Sequence, residues 1–117
     1  MRVFTQGRAA NTSLTAAGRL ALDADTAIRM SQDGPVILCR AMTEPSDIHG
    51  MEVSVGILTA RGGALSHAAV VAREMGKAAV VGAGFDVDLD SRTITKDGVT
   101  LREGAEVTLE SDGVVRY

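Results

Sequence analysis

The sequence predicts an α/β fold, and three observations carry that prediction. Three short apolar runs, PVILCRA, SVGILTA and KAAVVGA, have the length and composition of buried strands. Between the second and third lies a segment whose apolar residues Ala68, Val71, Ala72 and Met75 recur at i, i+3, i+4 and i+7, the spacing of a helix with one buried face. The tail, TITKDGVTLREGAEVTLESDGVVRY, alternates in polarity and is punctuated by Asp-Gly and Glu-Gly, as antiparallel hairpins are. Together they predict a mainly parallel layer carrying helices with a C-terminal antiparallel layer beside it, in one domain over residues 1–117.

Each element follows in turn. The opening dozen residues are polar and mixed and give no clear element. GRLAL, Gly18 to Leu22, reads as a short strand, and Asp23 as the N-cap of a helix running to about Met30, broken by Gly34 and Pro35. After the strand PVILCRA, the stretch TEPSDIHGM reads as a turn and short helix, with Pro45 early in the helix behind a Thr43 or Glu44 cap. SVGILTA is the next strand. Gly62 and Gly63 then turn the chain into a helix from about Ser66, its candidate N-cap, to Met75, with Gly76 as the C-terminal stop. KAAVVGA follows at once, so strand, glycine turn, helix and strand form a βαβ-like unit.

Composition narrows the function. Twelve basic against fifteen acidic residues give a net charge of −3, with no basic cluster, and Phe4, Phe85 and Tyr117 are the only aromatics. A phosphate-tracking surface and a base-stacking platform are both lacking, so nucleic acid is not an expected partner. Cys39, the single cysteine, permits neither an internal disulfide nor a cysteine-rich zinc site and reads as a small apolar side chain on a strand. The N-terminus lacks the apolar centre of a signal peptide and no run reaches membrane-spanning length, so no membrane partner and a cytoplasmic location are expected.

The residue that invites chemistry is His67, placed where the helix after the glycine pair begins. A histidine at the edge of an apolar helix is often structural. At a helix start, however, free backbone N–H groups and the positive end of the helix dipole favour a bound anion, and flanking glycines let the backbone approach it. An imidazole with a reference pKa of ~6.5 is largely neutral near pH 7 and is a competent nucleophile without a separate base. Other chemistries fit less well. There is no phosphate-binding GxxxxGK[ST] loop, no HExxH, and no GxSxG elbow around Ser66, which is better used as a cap. His49 has no clustered carboxylates and reads as structural or exposed, so no metal site is expected.

GGALSHAAVVAR, within ILTARGGALSHAAVVAREMGKAAVVG, resembles the phosphohistidine signature of the phosphoenolpyruvate-utilising enzymes. The upstream VILCRAMTEPSDIHGMEVSVGILTARGG is most similar to the pyruvate phosphate dikinase branch, and the resemblance runs from about Gly18 to Gly84. It implies a three-layer, swivelling β/β/α phosphohistidine domain that carries phosphate between an ATP-binding domain and a phosphoenolpyruvate-binding domain. His67 matches the phosphorylated histidine. On this resemblance the chain is the carrier part of a phosphotransferase, inactive in turnover without its partner domains, which it would meet in cis or in trans. No cofactor is expected in the chain itself, and Mg²⁺ belongs to the partner domains. Leu65 departs from the family pattern, which usually has threonine there, so the hydroxyl that is a regulatory target in plant dikinases is absent.

Around His67, Gly62 and Gly63 are expected to allow close backbone approach or simply a tight turn. Arg61 and Arg73 are candidates to contact phosphate or an acidic partner face. Thr43 and Thr59 are candidates to hydrogen-bond the imidazole and fix its tautomer, with turn capping and strand packing as their other possible uses. A different functional class stays open: a docking or regulatory module that keeps the swivelling fold without chemistry. An intact His67 with both glycines favours the carrier.

Overall fold

A computed structural model describes residues 1–117. At its centre four parallel strands lie side by side: β3 (Ala16–Ala21), β4 (Val36–Arg40), β5 (Gly56–Thr59) and β6 (Ala78–Val81). Parallel neighbours need crossovers, and the segments between them supply helices. These are α1 (Ala24–Ser31), then a 3-10 turn (Pro45–Asp47) with α2 (Ile48–Val53), and α3 (His67–Met75). Asp23 caps α1 by accepting from Thr26 N at 2.7 Å, and Gly76 ends α3 in the left-handed conformation at φ +67.

The strands have apolar residues on both faces because both are covered. Leu20, Ile37, Cys39, Leu58 and Val80 enter one cluster with Phe4, Phe85, Ile94 and Leu101. The residues that alternate with them, Ala21, Val36, Leu38, Ile57, Ala79 and Val81, enter a second cluster with Ala27, Met51, Ala68, Ala69 and Ala72 of the helices. The first cluster lies under a small antiparallel sheet of β7 (Asp86–Asp88), β8 (Thr93–Lys96) and β9 (Val99–Arg102). The result is the β/β/α arrangement: small sheet, main sheet, helices. Burial puts the Cys39 thiol well above the ordinary thiol range, so it packs as an apolar group. Ala69 is also buried on α3, since the alanine-rich face lets the helix sit close to the sheet.

Two parts differ from the sequence expectation. The tail does not form one antiparallel layer: β7 to β9 make the small sheet, whereas β10 (Glu106–Leu109) and β11 (Val114–Arg116) extend the main one, β10 antiparallel to β3. The opening residues, which carried no assignment, form β1 (Val3–Gln6) and β2 (Arg8–Ala9). The strand order of the main sheet is β1-β11-β10-β3-β4-β5-β6-β2. Only Gly7 separates β1 from β2, so the N-terminal segment supplies both end strands of that order, β1 on β11 and β2 on β6. Both differences come from pairing between residues far apart in sequence, which leaves no local mark.

No helix is long and apolar enough to cross a membrane.

Candidate functional site

Beyond Thr59 the chain keeps pairing for two residues, with Ala60 N donating to Arg40 O at 3.2 Å and Arg61 N to Ala41 O at 3.0 Å. It then turns at Gly62, whose φ of +107 suits glycine, and a Cβ there would stand 2.9 Å from Ser66 Cβ. The loop is held by its own ends. Ser66 N and Oγ both donate to Gly63 O, at 3.1 and 2.8 Å, and Arg73 Nη2 reaches back to Ala64 O at 2.5 Å. Ser66 Oγ accepts from Ala69 N at 3.4 Å as the N-cap, and Val70 N donates to Ser66 O. The amides of His67 and Ala68, in the first turn, have no intrahelical acceptor.

His67 is the first residue of α3. Its Nδ1 lies 3.1 Å from Thr43 Oγ1, which comes from the segment after β4. That segment is fixed by Asp47, a buried carboxylate that pairs with Arg40 Nε at 3.4 Å and accepts from Glu44 N at 2.9 Å. Thr43 is therefore buried and held in place, and the imidazole leans on it. The other ring nitrogen, Nε2, makes no hydrogen bond within the chain.

A cavity of about 200 Å³ opens beside the ring, walled by Met42 and Thr43, by Arg61 and Gly62, and by Ser66, His67 and Ala68. A second, of about 340 Å³, shares Met42 and Arg61 with it and extends over Arg40, Ala41 and Glu44 to Val87 and Leu89 of the small-sheet side.

Of the residues named from the sequence, Thr43, Arg61, Gly62, Ser66 and His67 meet at the first cavity. Gly63 adjoins it in the loop, with open space where a Cβ would be. Two others go elsewhere: Thr59 is fully buried with its hydroxyl on Arg61 O at 2.7 Å, away from the ring, and Arg73 is engaged by Ala64 O. Met42 and Ala68 line the cavity without having been singled out. Ala68 follows from its place beside His67, but nothing in the sequence marks Met42. Leu65 stands in the solvent at 90% exposure. His49 is exposed beside Glu52, and no three histidine, cysteine, aspartate or glutamate side chains converge as metal ligands.

Among known proteins, the family described as "PEP-utilising enzyme, mobile domain" matches residues 32–113. Pyruvate, phosphate dikinase of Rhizobium meliloti (strain 1021) is 46% identical over 97 residues, which is 81% of this chain and 11% of the relative. The dikinase of Entamoeba histolytica is 45% identical over 96 residues, again 81% and 11%. A solution structure of an Enzyme I protein aligns with a TM-score of 0.48 at 28% identity, over 69% of this chain and 29% of the other. The chain thus spans roughly a tenth of the length of the curated relatives it matches.

Proposed function

Because the chain belongs to the family of PEP-utilising enzyme mobile domains, we propose that it is a phosphoryl carrier in which His67 is transiently phosphorylated on Nε2. One observation carries the reading: Thr43 Oγ1 occupies Nδ1 at 3.1 Å, while Nε2 is free beside a cavity at the start of α3. In the tautomer with its proton on Nδ1, donated to Thr43, the ring presents the Nε2 lone pair. That pair attacks phosphorus, an N–P bond forms, and the P–O bond to the leaving group breaks with its electrons going to the leaving oxygen. The first-turn amides favour the anionic product. In the second step an acceptor oxygen displaces Nε2, and the ring returns to its starting tautomer.

The donor and acceptor sites are assigned to other domains, an ATP-binding domain on one side and a pyruvate or phosphoenolpyruvate site on the other; the family's description as PEP-utilising and the relatives' name, pyruvate, phosphate dikinase, support the second. Those domains are reached in cis or in trans. Mg²⁺, which prefers clustered oxygens and substrate phosphates, belongs with them. The chain's own share is the nucleophile, its orientation by Thr43 and the anion-favouring helix start. A cytoplasmic location goes with such partners. A docking or regulatory module would leave the Thr43–His67 contact and the adjoining cavity without a use.

The test is to incubate the chain with phosphoenolpyruvate and a dikinase whose own carrier histidine is replaced, then map the label under alkaline conditions that preserve phosphoramidates. Label is expected on His67 Nε2. Label that persists in His67→Asn would overturn the assignment.

A further inference from the structure

Three arginines lie on the segments that build the site, and the structure separates their roles. Arg40 is committed to Asp47 and to Leu22 O at 3.2 Å. Arg73 is committed to Ala64 O, where it holds the loop. The guanidinium of Arg61 is exposed and has neither an ion pair nor a hydrogen bond, although its backbone is fixed on both sides by Ala41 O and Thr59 Oγ1. It lies in the wall common to both cavities.

The needs of a phosphoryl group in the first cavity point to this residue. Three anionic oxygens on Nε2 would call for donors. Ser66 already donates to Gly63 O, and Thr43 stands at the Nδ1 edge of the ring. Met42 and Ala68 offer no polar side-chain atom. Among the lining side chains Arg61 alone is an uncommitted cation, and no carboxylate lines that cavity to compete for it. Glu44 is the one carboxylate lining the second cavity. A planar guanidinium can engage two phosphoryl oxygens at once, which an ammonium cannot.

Resting on the carrier reading, we infer that Arg61, in the wall shared by the two cavities, is the phosphoryl-binding side chain of the charged state and grips the group on Nε2. Arg73 acts on the loop and does not touch the phosphate.

Potassium phosphoramidate, which phosphorylates histidine without a protein partner, tests this on the full chain. Labelling of His67 and the ³¹P titration of the product are followed in the parent, Arg61→Gln, Arg61→Lys, His67→Asn and Arg102→Gln. The last is an exposed arginine that lines neither cavity and controls for the same change in net charge. Arg61→Gln is expected to label about tenfold more slowly, as for loss of one charge-assisted hydrogen bond. Its phosphoryl dianion should take up a proton to become the monoanion at higher pH, because the cation favouring the dianion is gone. Arg61→Lys should fall between. If Arg61→Gln matches Arg102→Gln in rate and titration while His67→Asn stays unlabelled, Arg61 is not the phosphate ligand and the carrier reading stands. If no chain is labelled at His67, the carrier reading fails and this inference with it.

Discussion

Thr43 Oγ1 stands 3.1 Å from His67 Nδ1, a contact between two segments 24 residues apart that the main sheet brings together. On the carrier reading it sets which ring nitrogen is left for chemistry. Thr43→Val keeps the shape and removes the acceptor, at a cost of about 0.5–1.5 kcal/mol for one neutral hydrogen bond. The ring should then populate both tautomers, visible in its ¹⁵N shifts, and phosphorylation of His67 should slow by about two- to tenfold. Thr43→Ser should restore the parent spectrum. Unchanged ring shifts in Thr43→Val would remove Thr43 from the mechanism.

Arg92 ties three parts of the fold together. Its Nη2 reaches Asp23 Oδ2 at 2.8 Å and Glu103 Oε2 at 2.6 Å, and its Nε reaches Glu103 Oε1 at 3.1 Å. Glu103 also accepts from Leu22 N, and Asp23 is the cap of α1. Arg92→Met should cost about 1–2 kcal/mol, modest because the groups are partly exposed. Partial burial pushes the Asp23 carboxyl up, but the Thr26 amide and hydroxyl and Arg92 outweigh it and leave the pKa below the ordinary value. A folded pKa below the unfolded one of ~3.9 gives stability that is present above that pH and is lost as pH falls through the folded value. Urea midpoints measured from pH 7 to pH 2 should therefore converge for parent and Arg92→Met at the acid end. A constant gap would refute the linkage.

What could be read in advance was local. Asp23, Ser66 and Gly76 act as caps and stop because their side chain or φ meets needs of the adjacent backbone turn, and those needs are written within four residues. The apolar runs marked β4, β5 and β6 for the same reason. β1 was silent because Val3 is exposed and Phe4 and Thr5 are buried, a pattern that makes sense only against β11. The choice between Thr43 and Thr59 at the ring was equally undecidable, since both lie near strand ends. It is settled by Asp47 folding the Arg40–Glu44 segment over the helix start, and by Thr59 turning its hydroxyl to Arg61 O.

Lys77, just beyond α3, closes the end of α2. Its Nζ donates to Met51 O at 2.9 Å, to Ser54 O at 2.6 Å and to Glu52 O, adding a donor at the carbonyls that end α2, of which Met51 O also accepts from Ser54 N. Burial lowers its pKa and the Glu52 charge partly offsets that. Lys77→Met keeps the stem and removes the donors, and should cost about 1–3 kcal/mol, the penalty for carbonyls left short of partners. Amide exchange should quicken in α2, with α1 less affected. Equal exchange in α2 before and after the substitution would show that water replaces the ammonium at no cost.

The closure of the main sheet depends on two glycines that touch. Gly7 N donates to Gly113 O at 2.9 Å where β1 passes into β2. A Cβ on Gly113, at φ +91, would lie 2.2 Å from Gly7 O, and one on Gly7 would lie 2.5 Å from Val81 O. The obstructing atoms are backbone, which cannot turn aside as a side chain does. Gly98, in the β8–β9 hairpin, has a similar φ of +82 but open space around it. Gly98→Ala thus carries only the left-handed penalty, about 1–2 kcal/mol. Gly113→Ala carries that penalty and must also move the strand edge, so its cost should exceed about 4 kcal/mol, the range reserved for backbone or core disruption. Urea unfolding of both variants separates the two terms. Equal losses would mean that the N-terminal segment can leave β11 freely, and the two edges of the sheet would then be joined only loosely. A much larger loss for Gly113→Ala would make the contact at Gly7 a structural requirement, because the backbone atoms it meets cannot turn aside.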